Sequence, residues 1–149
     1  MISLRFLLVS LLLSATLFSC KDDDKNNPTV NSQTELLVSN NWQTTRVSTT
    51  DGQTIATNRL GTSTQVLFGL DMQFRNNNTV RAVDRVSKQI INGGTWTLAP
   101  DGKSMDVDVT GFKGNFPIVE LNRTKLILRQ RAPVDGKDTD INLEFDPSV

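Results

Sequence analysis

Carboxylates are the side chains of this sequence best able to carry acid–base chemistry. The 149 residues contain no histidine or tyrosine, and the single cysteine is Cys20. Histidine-based triads, histidine-ligated metals and paired-cysteine redox or zinc sites are therefore excluded. Asp106 and Asp108 alternate onto one face of a predicted strand, but nothing places beside them the cleft that a glycosidase pair needs. We expect both to be solvated surface groups and the protein not to be an enzyme.

A second group of carboxylates could offer oxygen ligands to calcium. Asp135, Asp138 and Asp140 lie close together in the sequence, beside Gly136. Their spacing departs from the calcium-loop pattern, and Lys137 lies among them. We therefore predict an ordinary loop with no metal, and no cofactor for the protein.

Alternation along the predicted strands favours a binding site instead of a catalytic one. The candidate ligand-binding residues are Trp42, Arg46, Phe74, Asp84, Trp96 and Gln130. Arg46 shares a face with Trp42, so it points inward if Trp42 does. Three interpretations of Arg46 stay open: an internal ion pair with Asp84, contact with the acidic head of a ligand, or a rim arginine that reaches water. Residue type favours the rim arginine.

The elements that position these residues are mainly β-strands. Glu35 to Val38 could form one helical turn, capped by Thr34. After it, period-two alternation and turn residues predict strands near 42–48, 66–75, 79–87, 94–99, 103–110, 115–121, 124–131 and 139–145. Each predicted strand has one apolar face and one polar, solvent-facing side, which indicates an antiparallel sheet around a single core.

Connection lengths indicate how this sheet closes. Residues 76–78, 100–102 and 122–123 are tight links, whereas 49–65, 111–114 and 132–138 are looser. This alternation predicts an up-and-down meander with tight turns at one end and longer loops at the other. Eight strands closed in this way make a barrel just wide enough to pack solid or to hold one small ligand. The 49–65 loop would be a lid, with Ile55 and Leu60 as its apolar residues, or a disordered segment.

The first twenty residues differ from the rest of the chain. Arg5 precedes an apolar run of thirteen residues from Phe6 to Phe18. A membrane-spanning helix needs about 20 residues, so residues 1–19 have the dimensions of a signal peptide. The sequence Leu-Phe-Ser-Cys that ends at Cys20 resembles the lipobox of bacterial lipoproteins. The resemblance implies that Cys20 is lipidated and becomes the mature N-terminus, anchored in a membrane.

The residues after Cys20 indicate where such an anchor would lie. Lys21, Asp22, Asp23 and Asp24 resemble the export signal of Bacteroidetes lipoproteins displayed on the outer face of the outer membrane. The alternative interpretation is a solvated spacer, which would leave the protein on the periplasmic face. Residues 25–34 are polar and include one proline, which is typical of a flexible tether.

The strand region resembles the lipocalin-like lipoproteins of Bacteroidetes over residues 35–131. The matching segments are Glu-Leu-Leu at 35–37 before Asn-Trp at 41–42, Met-Gln-Phe at 72–74, Gly-Thr-Trp-Thr-Leu at 94–98 with Asp-Gly-Lys at 101–103, Phe-Pro-Ile-Val-Glu-Leu at 116–121 and Lys-Leu-Ile-Leu at 125–128. Asn40 stands where the family usually has glycine, and asparagine also tolerates a left-handed backbone. The resemblance implies a small calycin-like barrel and leaves the ligand open.

The sequence thus predicts three parts: a signal peptide at 1–19, a lipidated cysteine and tether at 20–34, and an all-β lipocalin-like barrel at 35–149. We expect a surface lipoprotein that binds a small, partly apolar molecule at its membrane-distal end. The alternative is a packed barrel that serves as an accessory or protein-interaction module of a cell-envelope complex. Sixteen Lys and Arg residues balance sixteen Asp and Glu residues, so no nucleic-acid partner is expected.

Overall fold

Strand-forming residues after residue 40 build a closed barrel in which each strand pairs with the next. The computed structural model describes residues 28–148, and the predictions for the signal peptide, Cys20 and residues 21–24 lie outside that range. The strands are β1 Asn41–Thr49, β2 Leu70–Phe74, β3 Thr79–Asp84, β4 Ile90–Leu98, β5 Ser104–Val109, β6 Phe112–Leu121, β7 Leu126–Val134 and β8 Lys137–Pro147. All neighbours are antiparallel, and β8 pairs with β1 to close the barrel. The predicted fold class is confirmed.

Alternating side chains of every strand fill the barrel interior. In β5 and β8, for example, Met105, Val107, Leu143 and Phe145 are buried. Because successive side chains of a strand point to opposite faces, Asp106 and Asp108 lie on the outer surface, where both are exposed. The interior is therefore one continuous apolar core.

A helix covers one end of the barrel. This helix, α1, spans Pro28–Val38 and is longer than the predicted turn at 35–38. Its Leu37 is fully buried, and the Leu37 carbonyl accepts a hydrogen bond of 2.9 Å from the indole N–H of Trp42. The turn between β4 and β5 meets the helix closely, because a Cβ at Gly102 would lie 2.2 Å from the side-chain oxygen of Gln33. We call this end, where the β2–β3, β4–β5 and β6–β7 turns lie, the closed end.

The opposite end, which we call the open end, carries the tightest turns. Residues 110–111 link β5 to β6 and residues 135–136 link β7 to β8, each as a two-residue hairpin. The predicted separation of tight turns and long loops between the two ends is therefore wrong. Positive φ angles at Gly111, Asp135 and Gly136 permit these short reversals. Strands β6 and β7 are consequently longer at this end than alternation alone predicts, since β6 begins at residue 112 and β7 ends at residue 134.

The β1–β2 connection folds over the open end, and we call residues 50–69 the cover loop. It contains helix α2, Thr62–Val66, and 3₁₀ turns at Thr57–Arg59 and Leu67–Gly69, so the predicted strand at 66–75 begins only at residue 70. Ile55 and Leu60 are buried in the core. Residues 53–55 pair with the end of β1, and residues 59–61 pair with the end of β7. The cover loop is thus an ordered lid over part of the end.

Candidate functional site

The predicted aromatic residues form the packed interior near the closed end. The rings of Phe74 and Trp96 meet edge to face with centroids 5.6 Å apart. The indole N–H of Trp96 donates to the Arg75 carbonyl at 3.2 Å. The indole N–H of Trp42 donates to the Leu37 carbonyl on α1. Phe74, Trp96 and Trp42 are no more than 4% exposed. They pack the core and line neither of the two open-end cavities described below.

Arg46 lies on the outer face of the barrel, so its predicted inward orientation is wrong. A β-bulge between Thr44 and Arg46 shifts the register of β1 by one residue, which turns Val47 inward and Arg46 outward. The Arg46 guanidinium lies 3.2 Å from the buried Glu144 carboxylate on β8 and donates to Thr54 Oγ1 at 2.8 Å. Arg46 therefore forms an ion pair on the outer surface of the barrel and a hydrogen bond to the cover loop.

Asp84 caps a turn and does not pair with Arg46. Its carboxylate accepts hydrogen bonds from the backbone N–H groups of Ser87, at 2.6 Å, and Val86, at 3.0 Å. The Ser87 hydroxyl also donates to it at 2.8 Å. These bonds, led by the Ser87 backbone N–H, lower the pKa of Asp84 below its usual value. The internal Arg46–Asp84 ion pair, one of the three interpretations left open by the sequence, does not form, because Arg46 pairs with Glu144 and Asp84 caps its own turn.

A cleft of about 260 Å³ opens beside the cover loop at the open end. Its walls are mainly Leu67, Leu70, Met72, Ala82, Val109 and Phe112, and polar atoms come from Ser63, Asn92 and Thr110. No charged side chain lines it. A cavity of this composition suits a small uncharged group, since polar atoms at the edge can orient what apolar walls bury.

The cleft exists because the barrel wall is incomplete between β4 and β5. The two strands pair from Gly94 and Val109 toward the closed end, so residues 90–93 of β4 project beyond β5. The side-chain amide of Asn92 donates to the Thr110 carbonyl at 2.7 Å and spans the gap. At the neighbouring position of β3, Ala82 leaves space that a larger side chain would fill.

Exposed apolar side chains surround the mouth of this cleft. Val66 on α2 and Ile91 on β4 line it and are 52% and 54% exposed. Ile90 and Val86, on the β3–β4 hairpin, are 55% and 93% exposed but do not line the cleft. Apolar residues gathered at one opening indicate an interaction site more strongly than scattered ones do.

A second gap, which we call the slit, lies between β6 and β7 near the same end. The two strands pair only through residues 118–121 and 126–128, which leaves 112–117 and 129–134 unpaired with each other. A cavity of about 190 Å³ occupies the gap, and its lining includes Phe116, Gln130 and Ala132. Gln130 is the one candidate from the sequence that lies here, half-buried on the inner face of β7. The slit and the cleft share Ser63, Leu67, Gly111 and Phe112.

The carboxylates considered for catalysis or calcium binding have separate surface roles. Asp108 pairs with Lys113 at 2.9 Å, and Asp106 accepts a hydrogen bond from Asn115 at 3.0 Å. Asp135 binds Arg59, and this bond lowers the pKa of Asp135 below its usual value. Among residues 28–148, no group of three or more potential ligands is placed to hold a metal.

Sequence reasoning missed most of the cleft. Alternation along the predicted strands at 66–75 and 79–87 puts Met72 and Ala82 on the apolar, core-facing side, but it does not show that space remains beside them. Ile90 and Ile91 fell within a predicted connection, and Val66 within a predicted strand. Two adjacent isoleucines in a short connection were the available signal, because such residues are usually buried or used in binding.

Comparison with solved structures agrees with the barrel topology. A lipocalin-like protein from Bacteroides uniformis ATCC 8492 superposes with a TM-score of 0.51 and 13% identity, over 76% of this chain and 99% of that chain. A duf4847 family protein from Bacteroides vulgatus ATCC 8482 gives 0.50 and 13%, over 75% and 94%. The fold is lipocalin-like. At this identity the likeness extends to the fold alone. No protein-family model and no curated protein matches the sequence.

Proposed function

We propose that this protein is a lipid-anchored lipoprotein of the cell envelope whose barrel binds a small, mainly apolar molecule in the cleft. The single observation that carries the binding proposal is the uncharged, mostly apolar cavity of about 260 Å³. Its volume lies just below the range of roughly 300–1,000 Å³ found for sites that hold drug-sized ligands. We therefore expect a ligand smaller than a typical drug, held largely by hydrophobic contact.

The anchor proposal rests on the sequence before the barrel. The apolar run up to Phe18, the lipobox-like residues ending at Cys20 and the acidic residues Asp22–Asp24 support attachment to the outer membrane, with the cell exterior as the favoured side. Within the part of the chain that the structure describes, no helix is long and apolar enough to cross a membrane.

The geometry supports an orientation for the anchored protein. Helix α1 connects the N-terminal segment to the barrel and packs at the closed end, whereas the cleft lies at the opposite end. An anchor at Cys20 would therefore leave the cleft at the membrane-distal end. A ligand would enter from the side that faces away from the anchoring membrane.

A second candidate function is a protein-interaction module of an envelope complex. The observation that favours it is the exposure of two large apolar side chains, Val86 and Ile90, on the β3–β4 hairpin outside the cleft lining. Val86→Ser would weaken such an interaction and leave small-molecule binding unchanged, because Val86 does not line the cleft.

A cavity-filling variant tests the binding proposal. Ala82→Leu adds three carbon atoms inside the cleft, and Arg81→Leu places the same side chain on the exposed outer face of β3 as a matched control. Native mass spectrometry of the protein released from host membranes should show a bound small molecule in wild type and Arg81→Leu, and its loss in Ala82→Leu. A bare polypeptide mass in all three proteins would contradict the proposal and favour the packed interaction module.

A further inference from the structure

The sequence contains one Asn-Gly pair, Asn92 with Gly93, and the fold places it at the wall gap beside the cleft. In such a pair the glycine nitrogen can attack the asparagine side chain, because glycine has no Cβ to hinder the approach and its backbone rotates freely. Strand pairing normally prevents this reaction, since it fixes the backbone and engages the attacking N–H group. The surroundings of the Gly93 N–H therefore decide whether the pair is reactive.

The Gly93 N–H is not held by strand pairing. The Trp96 N–H donates to the Asn78 carbonyl just before β3. By strand alternation the Gly93 N–H points the other way, toward β5, and β5 pairs with β4 only from Gly94 toward the closed end. Within the described chain, its one acceptor is the side-chain oxygen of Asn92 itself, at 2.8 Å. The nucleophile thus lies next to the carboxamide that it would attack.

The backbone around this pair is held on one side only. Gly93 is exposed and Asn92 is half-buried, so water and hydroxide reach the Gly93 nitrogen. A β-bulge lies just before the pair, where the register of β4 against β3 shifts between Ile90 and Asn92. The reaction requires the Asn92 backbone to rotate, and a strand end paired with one neighbour reaches such states by local opening. Global unfolding is not needed.

We propose that Asn92 is a site of spontaneous deamidation, an intramolecular reaction in which Gly93 supplies the nucleophile. Hydroxide removes the Gly93 N–H proton, and the nitrogen forms a bond to the side-chain carbonyl carbon of Asn92. The bond from that carbon to the amide nitrogen breaks, ammonia leaves, and a cyclic succinimide remains. Water then opens the ring to aspartate or isoaspartate. Asparagine and water thus give a carboxylic acid and ammonia, with no oxidant, reductant or enzyme.

Deamidation changes the cleft in two ways. The Asn92 amide donates to the Thr110 carbonyl at 2.7 Å across the wall gap. A carboxylate has no N–H to replace this donor, so two acceptors face each other. Asn92 also lines the cleft, where no charged side chain lies among the described residues, so the product adds a negative charge to a mainly apolar site. The reaction does not depend on the proposed function, but its effect on a ligand does.

Peptide mapping by mass spectrometry measures the reaction at each asparagine of the full-length protein, incubated in host membranes at mildly alkaline pH. We expect Asn92 to react about ten-fold faster or more than Asn122, which is exposed but precedes Arg123. The same protein in urea gives the rate of the unfolded chain. Reaction through global unfolding alone would be slower in the folded protein by about a thousand-fold or more. A smaller ratio therefore indicates local opening.

Two variants control for the identity of the nucleophile and of the reacting side chain. A Cβ at Gly93 would lie 3.4 Å from the Val80 carbonyl oxygen, an ordinary contact, and φ there is not in the left-handed region. Gly93→Ala should therefore keep the fold and slow the reaction of Asn92 about ten-fold. Asn92→Gln keeps a carboxamide but must form a larger ring, so position 92 should stay unmodified. Urea unfolding followed by circular dichroism checks that both variants fold.

Three results would overturn the site. Asn92 would react no faster than Asn122, its rate would be unchanged in Gly93→Ala, or it would react in the folded protein about a thousand-fold or more slower than in urea. Each of these is read from the peptide map alone, whatever the cleft binds.

Asn92→Asp tests the effect on the cleft, with Asn122→Asp at the closed end as the matched control. In native mass spectrometry of protein released from host membranes, we expect the ligand occupancy of Asn92→Asp to be about three-fold lower or less than that of wild type and of the control. Equal occupancy in all three proteins would overturn this effect. If wild type itself carries no small molecule, the proposed function fails, and the peptide map still decides whether Asn92 is the modification site.

Discussion

The two ends of the barrel differ in how completely their interiors are filled, although the same eight strands form both. At the closed end, α1 and the buried rings of Trp42 and Trp96 fill the interior, and both indole N–H groups have backbone acceptors. At the open end, the cover loop fills only part of the mouth, and the cleft and slit remain. The comparison indicates that packing is complete at the closed end and incomplete at the open end, which leaves space there for a ligand.

Strand pairing explains the difference around the wall. β8 pairs along almost its whole length with β7 and β1, whereas β4 projects beyond β5 and β6 separates from β7. The outer face of the continuous part also carries cross-strand ion pairs, Arg46 with Glu144 and Lys125 with Asp146. The gap between β4 and β5 lies opposite the β8–β1 seam in the strand order, whereas the gap between β6 and β7 borders the fully paired β7–β8 hairpin.

The largest expected contrast is between Trp42 and Val66. Trp42→Ala removes a fully buried side chain and leaves the Leu37 carbonyl without its donor, so we expect a loss of about 3–5 kcal/mol in the free energy of unfolding. Val66→Ala changes an exposed side chain at the cleft mouth and should cost less than about 0.5 kcal/mol. Urea unfolding followed by circular dichroism measures both. Equal losses would show that the two ends contribute alike to stability.

A smaller effect is expected at the outer ion pair of β1 and β8. Arg46→Ala leaves the buried Glu144 carboxylate with the Ser48 hydroxyl, which donates at 2.7 Å. Breaking a buried ion pair costs about 3–5 kcal/mol, but the Arg46 side chain is 39% exposed, so we expect about 1–2 kcal/mol. Ligand affinity should not change, because Arg46 lines neither cavity. Gln43→Ala, on the same outer face, is the control for general damage to β1, because no side-chain hydrogen bond of Gln43 is found within residues 28–148.

A loss of ligand affinity in Arg46→Ala without a loss of stability would contradict this assignment. That result would restore the interpretation in which Arg46 meets a ligand, and the bulge at Thr44 would then need to rearrange in the bound state.

The strand content and barrel topology were predictable because they depend on local patterns. Alternation in β5 and β8, and the turn residues between strands, determine both the faces and the order of pairing. The bulge in β1 was not predictable in this way, because nothing in the local sequence marks the one extra residue. That single shift moved Arg46 from the inner to the outer face.

The candidate site was predictable only at Gln130. A cavity is what remains when neighbouring elements fail to meet, so it depends on where β5 and β6 end relative to β4 and β7. Those differences arise from long-range register, which one sequence does not reveal. The helical fold of residues 62–69 was missed for a related reason, since Val66-Leu67-Phe68 fits a strand as well as a helix.

The smallest expected effect concerns how firmly the cover loop is held at the open end. Arg59 donates to the Asp135 carboxylate at 2.6 and 2.9 Å, and the backbone of residues 59–61 pairs with the end of β7. The Arg59 hydrogen bond lowers the pKa of Asp135 in the folded protein. Its contribution is therefore complete above the unfolded-state pKa of about 4 and is lost as pH falls through the lower folded value.

Hydrogen exchange, expressed as protection factors to remove the intrinsic pH dependence, measures this contact. In the wild-type protein, we expect the protection factors of the Gly61 and Asp135 N–H groups to decrease once the pH is below about 4. Asp135→Asn, which tolerates the positive φ of this turn position, should give protection lower by about two- to five-fold and independent of pH. Asp140→Asn, which alters the looser pair with Arg131, should behave as wild type. Unchanged protection in Asp135→Asn would show that backbone pairing alone holds the cover loop, and that the open end is more rigid than its gaps suggest.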